Sequence, residues 1–285
     1  MQKFEGVANT LFVPLVARIN ISKRFPEYFY DPKALELEPM LPDDATKGSS
    51  EYSNMASVAR YYNMDTMVMD YIEKNPVCNV VYLGAGLETA YDRIVAKRGL
   101  GNEKYYAVDL PDVIEARRKV FGERPREATI PGDMFTFEWC NQIDCTLPTL
   151  LVVSGVFQYF KDNVVVGFIQ GLKKKFTNGT LIFDYTNESG LKFTNWFIKR
   201  TGNANAIMYF FINDGKSFAE RTGTTYLEER TFFTDARKML KDKLGVVTKV
   251  SMAVADKKKQ TTKRSCRHTA FGVSSIPKPP ASQSL

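Results

Sequence analysis

The stretch VVYLGAGLETAYDRI, residues 80–94, decides the fold. Its apolar first half is typical of a buried parallel strand, and its second half has the spacing of an amphipathic helix. Gly84 and Gly86 lie in the turn between them, where a ligand can approach the backbone because glycine has no side chain. The helix that begins near Glu88 adds free N–H groups and positive potential beside that turn. The stretch therefore predicts a strand, a ligand-binding turn and a helix.

The glycine spacing favours one class of ligand. A dinucleotide site prefers the pattern G-x-G-x-x-G, and the third glycine position is occupied here by Thr89. The two-glycine form better fits a nucleoside cofactor that has no pyrophosphate. A tight turn that binds nothing is the alternative interpretation of this motif taken alone.

Outward from this turn, short apolar segments alternate with amphipathic ones, which predicts an α/β fold with helices on both faces of a parallel sheet. The predicted strands comprise residues 77–83, 105–109, 128–130, 150–154, 181–185, 246–254 and 269–273. The predicted helices between and after them comprise residues 89–97, 112–121, 163–176 and 235–243. Seven strands ending in a hairpin is the layout of the Rossmann-like sheet of class I methyltransferases.

The remaining segments are assigned around this sheet. Residues 1–75 have mostly helical spacing, including a helix over 55–73, and we predict an N-terminal helical cap within the same domain. We predict that the Rossmann-like domain covers residues 76–275, with a lid-like insertion at 186–230 where no period is strong. Residues 276–285 are predicted to be a disordered tail.

Asp109 ends the second predicted strand. A carboxylate at this position can accept hydrogen bonds from both ribose hydroxyls of a nucleoside. A helix cap is the alternative role, because Asp109 and Asp112 both precede or begin a predicted helix.

Polar residues also follow the third and fourth predicted strands. Asp133 is placed to accept from an adenine amino group, with Met134 against the ring, although a surface turn is the alternative. Ser154 and Gly155 interrupt the apolar run LLVVSGVFQYF, residues 150–160, at the carboxyl end of a strand. Ligands of open α/β sheets bind at that edge.

Together these segments resemble the leucine carboxyl methyltransferase family, and most closely its polyketide O-methyltransferase branch of the tetracenomycin type. The resemblance covers most of the chain and includes GVANTLFVPLVAR (6–18), LGAGLETAYDR (83–93), VDLPDVIEARRKV (108–120), GDMF (132–135) and SGVFQYF (154–160).

The resemblance implies an O-methyltransferase that uses S-adenosylmethionine and releases S-adenosylhomocysteine. It implies that Arg60 binds the methionine carboxylate of the cofactor. The family usually has Glu, which contacts the methionine amino group, where this chain has Ser154. The predicted cofactor-binding residues are Arg60, Gly84, Ala85, Gly86, Asp109, Leu110, Asp133, Met134, Ser154 and Gly155.

The acceptor is predicted from the chemistry of methyl transfer. A carboxylate has a reference pKa of about 4, so it is ionised at neutral pH and needs no general base. We therefore expect a methyl ester, or an ether, on a small-molecule acceptor such as a polyketide-like metabolite, and we assign no catalytic residue. Arg18 and Lys23 are candidate cations for the acceptor, and Tyr159 is a candidate pocket residue. Surface charge and core packing are the alternative roles.

Two other functions remain open. One is methylation of a macromolecule, either a protein C-terminal carboxylate or a tRNA. Its local support is the basic segment 257–267, which carries most of the net charge of +7 and is otherwise a solvated loop. The other is a non-catalytic binding module with a decayed cofactor site, motivated by Ser154.

The composition disfavours several classes of protein. The four cysteines form no C-x-x-C pair and the chain has one histidine, so we expect no metal. No run of about 18 apolar residues occurs, and Glu5 and Pro14 disfavour a signal peptide. We therefore expect a cytoplasmic enzyme with free thiols and no membrane association. A nucleic-acid partner is expected only under the tRNA alternative.

Overall fold

The computed structural model describes residues 7–41, 50–200, 207–261 and 266–273, which contain ten α-helices, four short 3-10 helices and seven strands. The helices are α1 (Val7–Arg24), α2 (Pro32–Glu36), α3 (Glu51–Lys74), α4 (Ala90–Arg98), α5 (Pro111–Phe121), α6 (Asp162–Lys175), α7 (Glu188–Arg200), α8 (Gly215–Thr222), α9 (Thr234–Met239) and α10 (Val246–Thr261). The strands are β1 (Asn79–Leu83), β2 (Lys104–Asp109), β3 (Glu127–Pro131), β4 (Thr149–Val153), β5 (Gly179–Thr186), β6 (Thr225–Thr231) and β7 (Cys266–Val273).

The strands form one sheet in the order β3-β2-β1-β4-β5-β7-β6. The first five pair in parallel, whereas β7 runs antiparallel to both β5 and β6. The α/β fold with a parallel central sheet is therefore confirmed: five of the seven strands form its parallel part, and β7 and β6 pair antiparallel at one edge. The strand order reverses between β1 and β4, and ligands of such sheets bind at the carboxyl ends beside that reversal.

The two faces of the sheet follow from the two-residue period of its strands. Val81 and Leu83 pack in one apolar cluster with residues of α6. Val80 and Tyr82 point to the opposite face, where they join residues of α3 and α4. Both faces are buried, which explains why β1 and β4 are almost continuously apolar.

The prediction of a strand over residues 246–254 is wrong, because this segment lies in helix α10. The run of β-branched residues indicated a strand. In the helix, Thr248 and Met252 are buried four residues apart on one face, whereas Val246 and Val250 are exposed. Packing of that single face therefore overrides the local preference of the valines.

The partner of β7 is instead β6, which the sequence analysis placed inside an insertion. Only the end of that segment belongs to the sheet, and the part before it contains α7 and α8. The β6 sequence TYLEERT is polar and partly exposed at the sheet edge, so no apolar alternation marks it. Residues 262–265 of the basic segment and the whole of the predicted tail 276–285 lie outside the described residues.

Helices α1 and α3 pack against each other through apolar residues that include Ala17, Ile21 and Val58. Helix α3 begins at a capping box in which Ser50 and Ser53 exchange hydrogen bonds. The assignment of residues 1–75 as a cap stays a prediction. Among the described residues, no helix has the length and apolar content needed to cross a membrane.

Candidate functional site

The turn after β1 is clamped between β2 and the segment after β4. The N–H groups of Gly84 and Ala85 donate to the Val108 carbonyl at 2.9 and 3.2 Å. Gly84 has a φ of +68°, and a Cβ there would lie 2.5 Å from Cγ2 of Val156. A side chain at position 84 is therefore excluded by both backbone conformation and space.

Asp109 holds the turn from the side of β2. Its Oδ2 accepts from the Gly86 N–H at 2.7 Å, and its Oδ1 accepts from the Leu110 N–H at 2.8 Å. Burial raises the pKa of this carboxyl above its ordinary value, although the two N–H donors act in the opposite direction. Leu110 is the N-cap residue of α5, and neither Asp109 nor Asp112 occupies that position.

Asp133 is placed where both of its predicted roles, the adenine contact and the surface turn, are possible. It lies on the wall of the cavity described below, and it also caps a short turn by accepting from the Phe135 N–H at 2.9 Å. Met134 next to it is buried, and its carbonyl accepts from the Trp139 indole at 2.9 Å. The nucleobase role of both residues stays a prediction.

An arginine and a carboxylate meet beyond the ends of β4 and β5. Nη1 of Arg60 lies 3.3 Å from Oδ2 of Asp184, and Oδ1 of Asp184 accepts from the Gly155 N–H at 2.6 Å. Arg60 also donates from Nη2 to the Tyr61 hydroxyl at 3.1 Å. We call Arg60 and Asp184 the open pair, because the Arg60 Nε and the neighbouring Ser154 hydroxyl are buried without a hydrogen-bond partner among the described residues.

Gly155 allows this approach. It has a φ of +70°, and a Cβ at this position would lie 3.0 Å from Nη1 of Arg60. The sequence analysis missed Asp184, although an acid near the carboxyl end of the predicted strand 181–185 was a usable signal.

A second cluster of arginines and carboxylates binds Glu88 and Thr89, which follow the 84–86 turn. All five N–H donors of Arg93 are used: Nε and Nη2 bind Asp65, Nη2 also binds Glu88, and Nη1 binds Asp31 and Thr89. We call these residues, together with Arg18, the closed network.

Arg18 joins the closed network to the turn. Its Nη1 donates to the Thr89 hydroxyl and its Nη2 to the Leu87 carbonyl, both at 2.9 Å. Its side chain is only 2% exposed. Of the predicted acceptor cations, Arg18 lines the cavity, and both of its Nη atoms are engaged in the protein. Its Nε lies 3.7 Å from Oδ2 of Asp31 and makes no hydrogen bond among the described residues.

Lys23 lies elsewhere. It pairs with Glu38 at 2.5 Å, both side chains are exposed, and it does not line the cavity. Tyr159 does line the cavity and is 37% exposed, and burial raises the pKa of its hydroxyl.

All the predicted cofactor-binding residues line one cavity of about 1180 Å³. Pockets for a single small ligand usually measure about 300–1,000 Å³, so this cavity has room for two ligands. Residues from α1, α3 and the segment after β6 add apolar walls, among them Val13, Ala56, Phe232 and Phe233. No cluster of three or more metal-ligating side chains occurs among the described residues.

Comparisons with known proteins agree with this architecture. The family model described as leucine carboxyl methyltransferase matches residues 16–172. The tetracenomycin polyketide synthesis O-methyltransferase of Streptomyces glaucescens is 23% identical over 244 residues, which are 82% of this chain and 88% of that protein.

Two solved structures share the fold. A DUF574 family protein from Streptomyces avermitilis superposes with a TM-score of 0.56 and 14% identity, over 90% of this chain and 96% of that one. A candidate methyltransferase from Thermobifida fusca superposes with a TM-score of 0.54 and 12% identity, over 96% of this chain and 100% of that one.

Proposed function

This chain belongs to the leucine carboxyl methyltransferase family of S-adenosylmethionine-dependent enzymes, and on that premise we propose that it methylates an oxygen atom of a small, largely apolar acceptor. The product is a methyl ester or a methyl ether, and a polyketide-like metabolite is the acceptor class. The observation that carries the proposal is that the 84–86 turn and the Asp109 carboxylate face one cavity large enough for two ligands.

The residues present fit S-adenosylmethionine. The backbone at Gly84 leaves a surface that a side chain would fill, and Asp109 keeps acceptor capacity for ribose hydroxyls, because each carboxylate oxygen has two acceptor sites and makes one recorded bond. Asp133 and Met134 would bind the adenine. Arg60 would bind the methionine carboxylate, since its Nε has no other partner among the described residues.

When bound, the cofactor supplies a methyl group on a positively charged sulfur. The chain's own residues then have to hold that methyl group in line with the acceptor oxygen, and alignment of this kind lowers the barrier by several kcal/mol. The apolar walls exclude water from the reacting atoms, which strengthens the electrostatic interactions around the sulfur. We propose that the helices before β1 form the cap that provides part of this wall.

The cavity walls support an apolar acceptor. Its basic residues among those described are Arg18 and Arg60, and both are already paired with carboxylates. Aromatic side chains such as Tyr52, Phe160 and Phe233 offer flat apolar surface instead. The relative from Streptomyces glaucescens is named for polyketide synthesis, which supports the same acceptor class.

Cofactor binding tests the first half of this proposal. Calorimetry should show that S-adenosylhomocysteine binds the wild-type chain, and Asp109→Ala should weaken that binding at least about 100-fold, because two hydrogen bonds to a charged group are lost. The matched control is Asp112→Ala, since Asp112 is exposed and does not line the cavity. An unchanged dissociation constant in Asp109→Ala would show that the ribose assignment is wrong.

Methyl transfer tests the second half. Aromatic polyketide-like acids and phenols are incubated with isotopically labelled S-adenosylmethionine, and each product is treated with mild base. An ester releases labelled methanol and an ether does not, so the same assay separates the two products. Absence of transfer to every apolar acceptor, together with transfer to a protein C-terminus or a tRNA, would overturn the small-molecule assignment.

A further inference from the structure

We propose that Asp184 binds the α-ammonium group of the cofactor's methionine part, with the Ser154 hydroxyl as a second, neutral partner. This inference rests on the proposed function and concerns how the open pair is used. It assigns to β5 a cofactor contact that the sequence analysis did not find.

The first support is unused hydrogen-bonding capacity. Within the described part of the chain, each oxygen of Asp184 makes one hydrogen bond, Oδ1 with the Gly155 N–H and Oδ2 with Arg60. A carboxylate oxygen can accept two hydrogen bonds, so both can accept another. Asp184 lines the cavity, which makes that capacity available to a ligand.

The second support is the arrangement of charge. The amino-acid end of the cofactor is a zwitterion, so its site needs a cation and an anion side by side. Arg60 and Asp184 lie 3.3 Å apart on the cavity wall, and their charges are opposite. A zwitterion placed head to tail against this pair gains two charge-assisted contacts and leaves the net charge of the site unchanged.

The third support is that the other carboxylates on the wall are engaged elsewhere. Glu88 accepts through Oε1 from both Arg18 and Arg93 in the closed network. Asp109 accepts from the Gly86 N–H in the 84–86 turn. Asp133 follows β3, and in the sheet β1 separates β3 from β5. Asp184 is therefore the acid that the fold places beside Arg60.

Ser154 fits the same arrangement. Its hydroxyl is buried and has no hydrogen-bond partner among the residues that the structure describes, and Ser154 immediately precedes Gly155, whose N–H binds Asp184. A buried hydroxyl without a partner costs free energy, which a donor from the ligand would recover. A neutral residue at position 154 also avoids placing a second negative charge close to Asp184.

The test compares two ligands and one substitution by calorimetry. The ligands are S-adenosylhomocysteine and its analogue with hydrogen in place of the α-amino group. Asp184→Asn should weaken S-adenosylhomocysteine binding about 10- to 100-fold, because a hydrogen bond between charged groups is lost. Binding of the deaminated analogue should change less than about threefold. Asp162→Asn, an exposed acid paired with Arg221, is the matched control and should change neither value.

The outcomes separate this inference from the proposed function. Failure of the wild-type chain to bind S-adenosylhomocysteine would overturn the proposed function. Normal wild-type binding, with both ligands weakened equally in Asp184→Asn or neither weakened, would overturn the inference alone. Ser154→Glu combined with Asp184→Asn returns a carboxylate to the site and should restore preference for the amino group. A folded double variant without that preference would also contradict the inference.

Discussion

Two arginines, one on the cavity wall and one in the network beside the 84–86 turn, are bound in opposite ways. Arg93 in the closed network has every guanidinium N–H matched by an acceptor, and its side chain is 1% exposed. Arg60 in the open pair makes one contact from each Nη atom and none from Nε among the described residues. The ring of Tyr61 lies close to both, with its centre 4.8 Å from the Arg60 guanidinium and 5.3 Å from that of Arg93.

The difference shows how one protein uses the same chemistry for two purposes. A buried arginine that is fully hydrogen-bonded fixes the elements around it, and Arg93 of α4 thereby joins Asp31, at the start of α2, to Asp65 of α3. An arginine with an unused donor beside a cavity leaves that donor for a ligand. We infer that the closed network stabilises the fold under the 84–86 turn, and that the open pair contributes affinity.

The largest effect that this comparison predicts is on stability. Arg93→Met leaves Asp31, Asp65 and Glu88 without their shared partner, and removing one member of a buried ion pair costs about 3–5 kcal/mol. The free energy of unfolding in urea should fall by this amount. Arg221→Met is the matched control, because its pair with Asp162 is exposed, and it should cost less than about 1 kcal/mol. Equal losses of unfolding free energy in Arg93→Met and Arg221→Met would contradict a stabilising role for the closed network.

A substitution in the open pair should affect ligand affinity more than stability. Arg60→Met should lower the free energy of unfolding by only about 1–2 kcal/mol, because Asp184 keeps the Gly155 N–H. It should weaken S-adenosylhomocysteine binding about 10- to 100-fold in calorimetry. An analogue without the α-carboxylate should lose much less affinity. A loss of equal size for both ligands would mean that Arg60 acts only through the shape of the cavity.

Acid should separate binding from folding. Burial raises the pKa of Asp109 above its ordinary 3.8, so this group protonates at a higher pH than an ordinary aspartate does. Burial also raises the pKa values of Asp31 and Glu88, but Arg93 and Arg18 outweigh it and hold both below their ordinary values. The stability that these two groups contribute is therefore present above their unfolded pKa values and is lost only as the pH falls through the lower folded values.

Asp65, which also binds Arg93, does not make the fold less stable as the pH falls. Burial raises its pKa despite Arg93, so its protonation on acidification favours the folded state. S-adenosylhomocysteine affinity, measured by titration at decreasing pH, should therefore fall while circular dichroism still reports the native fold. Simultaneous loss of binding and structure would show that the two groups of carboxylates are not distinct.

The sequence predicts the first half of the cavity well, because its signals are local. A strand, two glycines and a helix lie within residues 80–94, and Asp109 ends the next strand, so both positions can be found without knowing the fold. The open pair joins α3 to β5 across 124 positions of the chain, and no short pattern records that contact. Strand β6 and helix α10 were misassigned for a related reason, since tertiary packing decides which of their residues are buried.

The smallest predicted effect compares two buried hydroxyls. Thr89 in the closed network donates to Asp31 and accepts from Arg18 and Arg93, so Thr89→Val should cost about 1–2 kcal/mol of unfolding free energy. The Ser154 hydroxyl has no hydrogen-bond partner in the described part of the chain, so Ser154→Ala should change stability by less than about 0.5 kcal/mol. Its S-adenosylhomocysteine affinity should nevertheless fall about 2- to 10-fold, because the hydroxyl serves the ligand. If Ser154→Ala lost stability and kept its affinity, the hydroxyl would belong to the scaffold, and the open pair would have no unused hydrogen-bonding group on the β4 side.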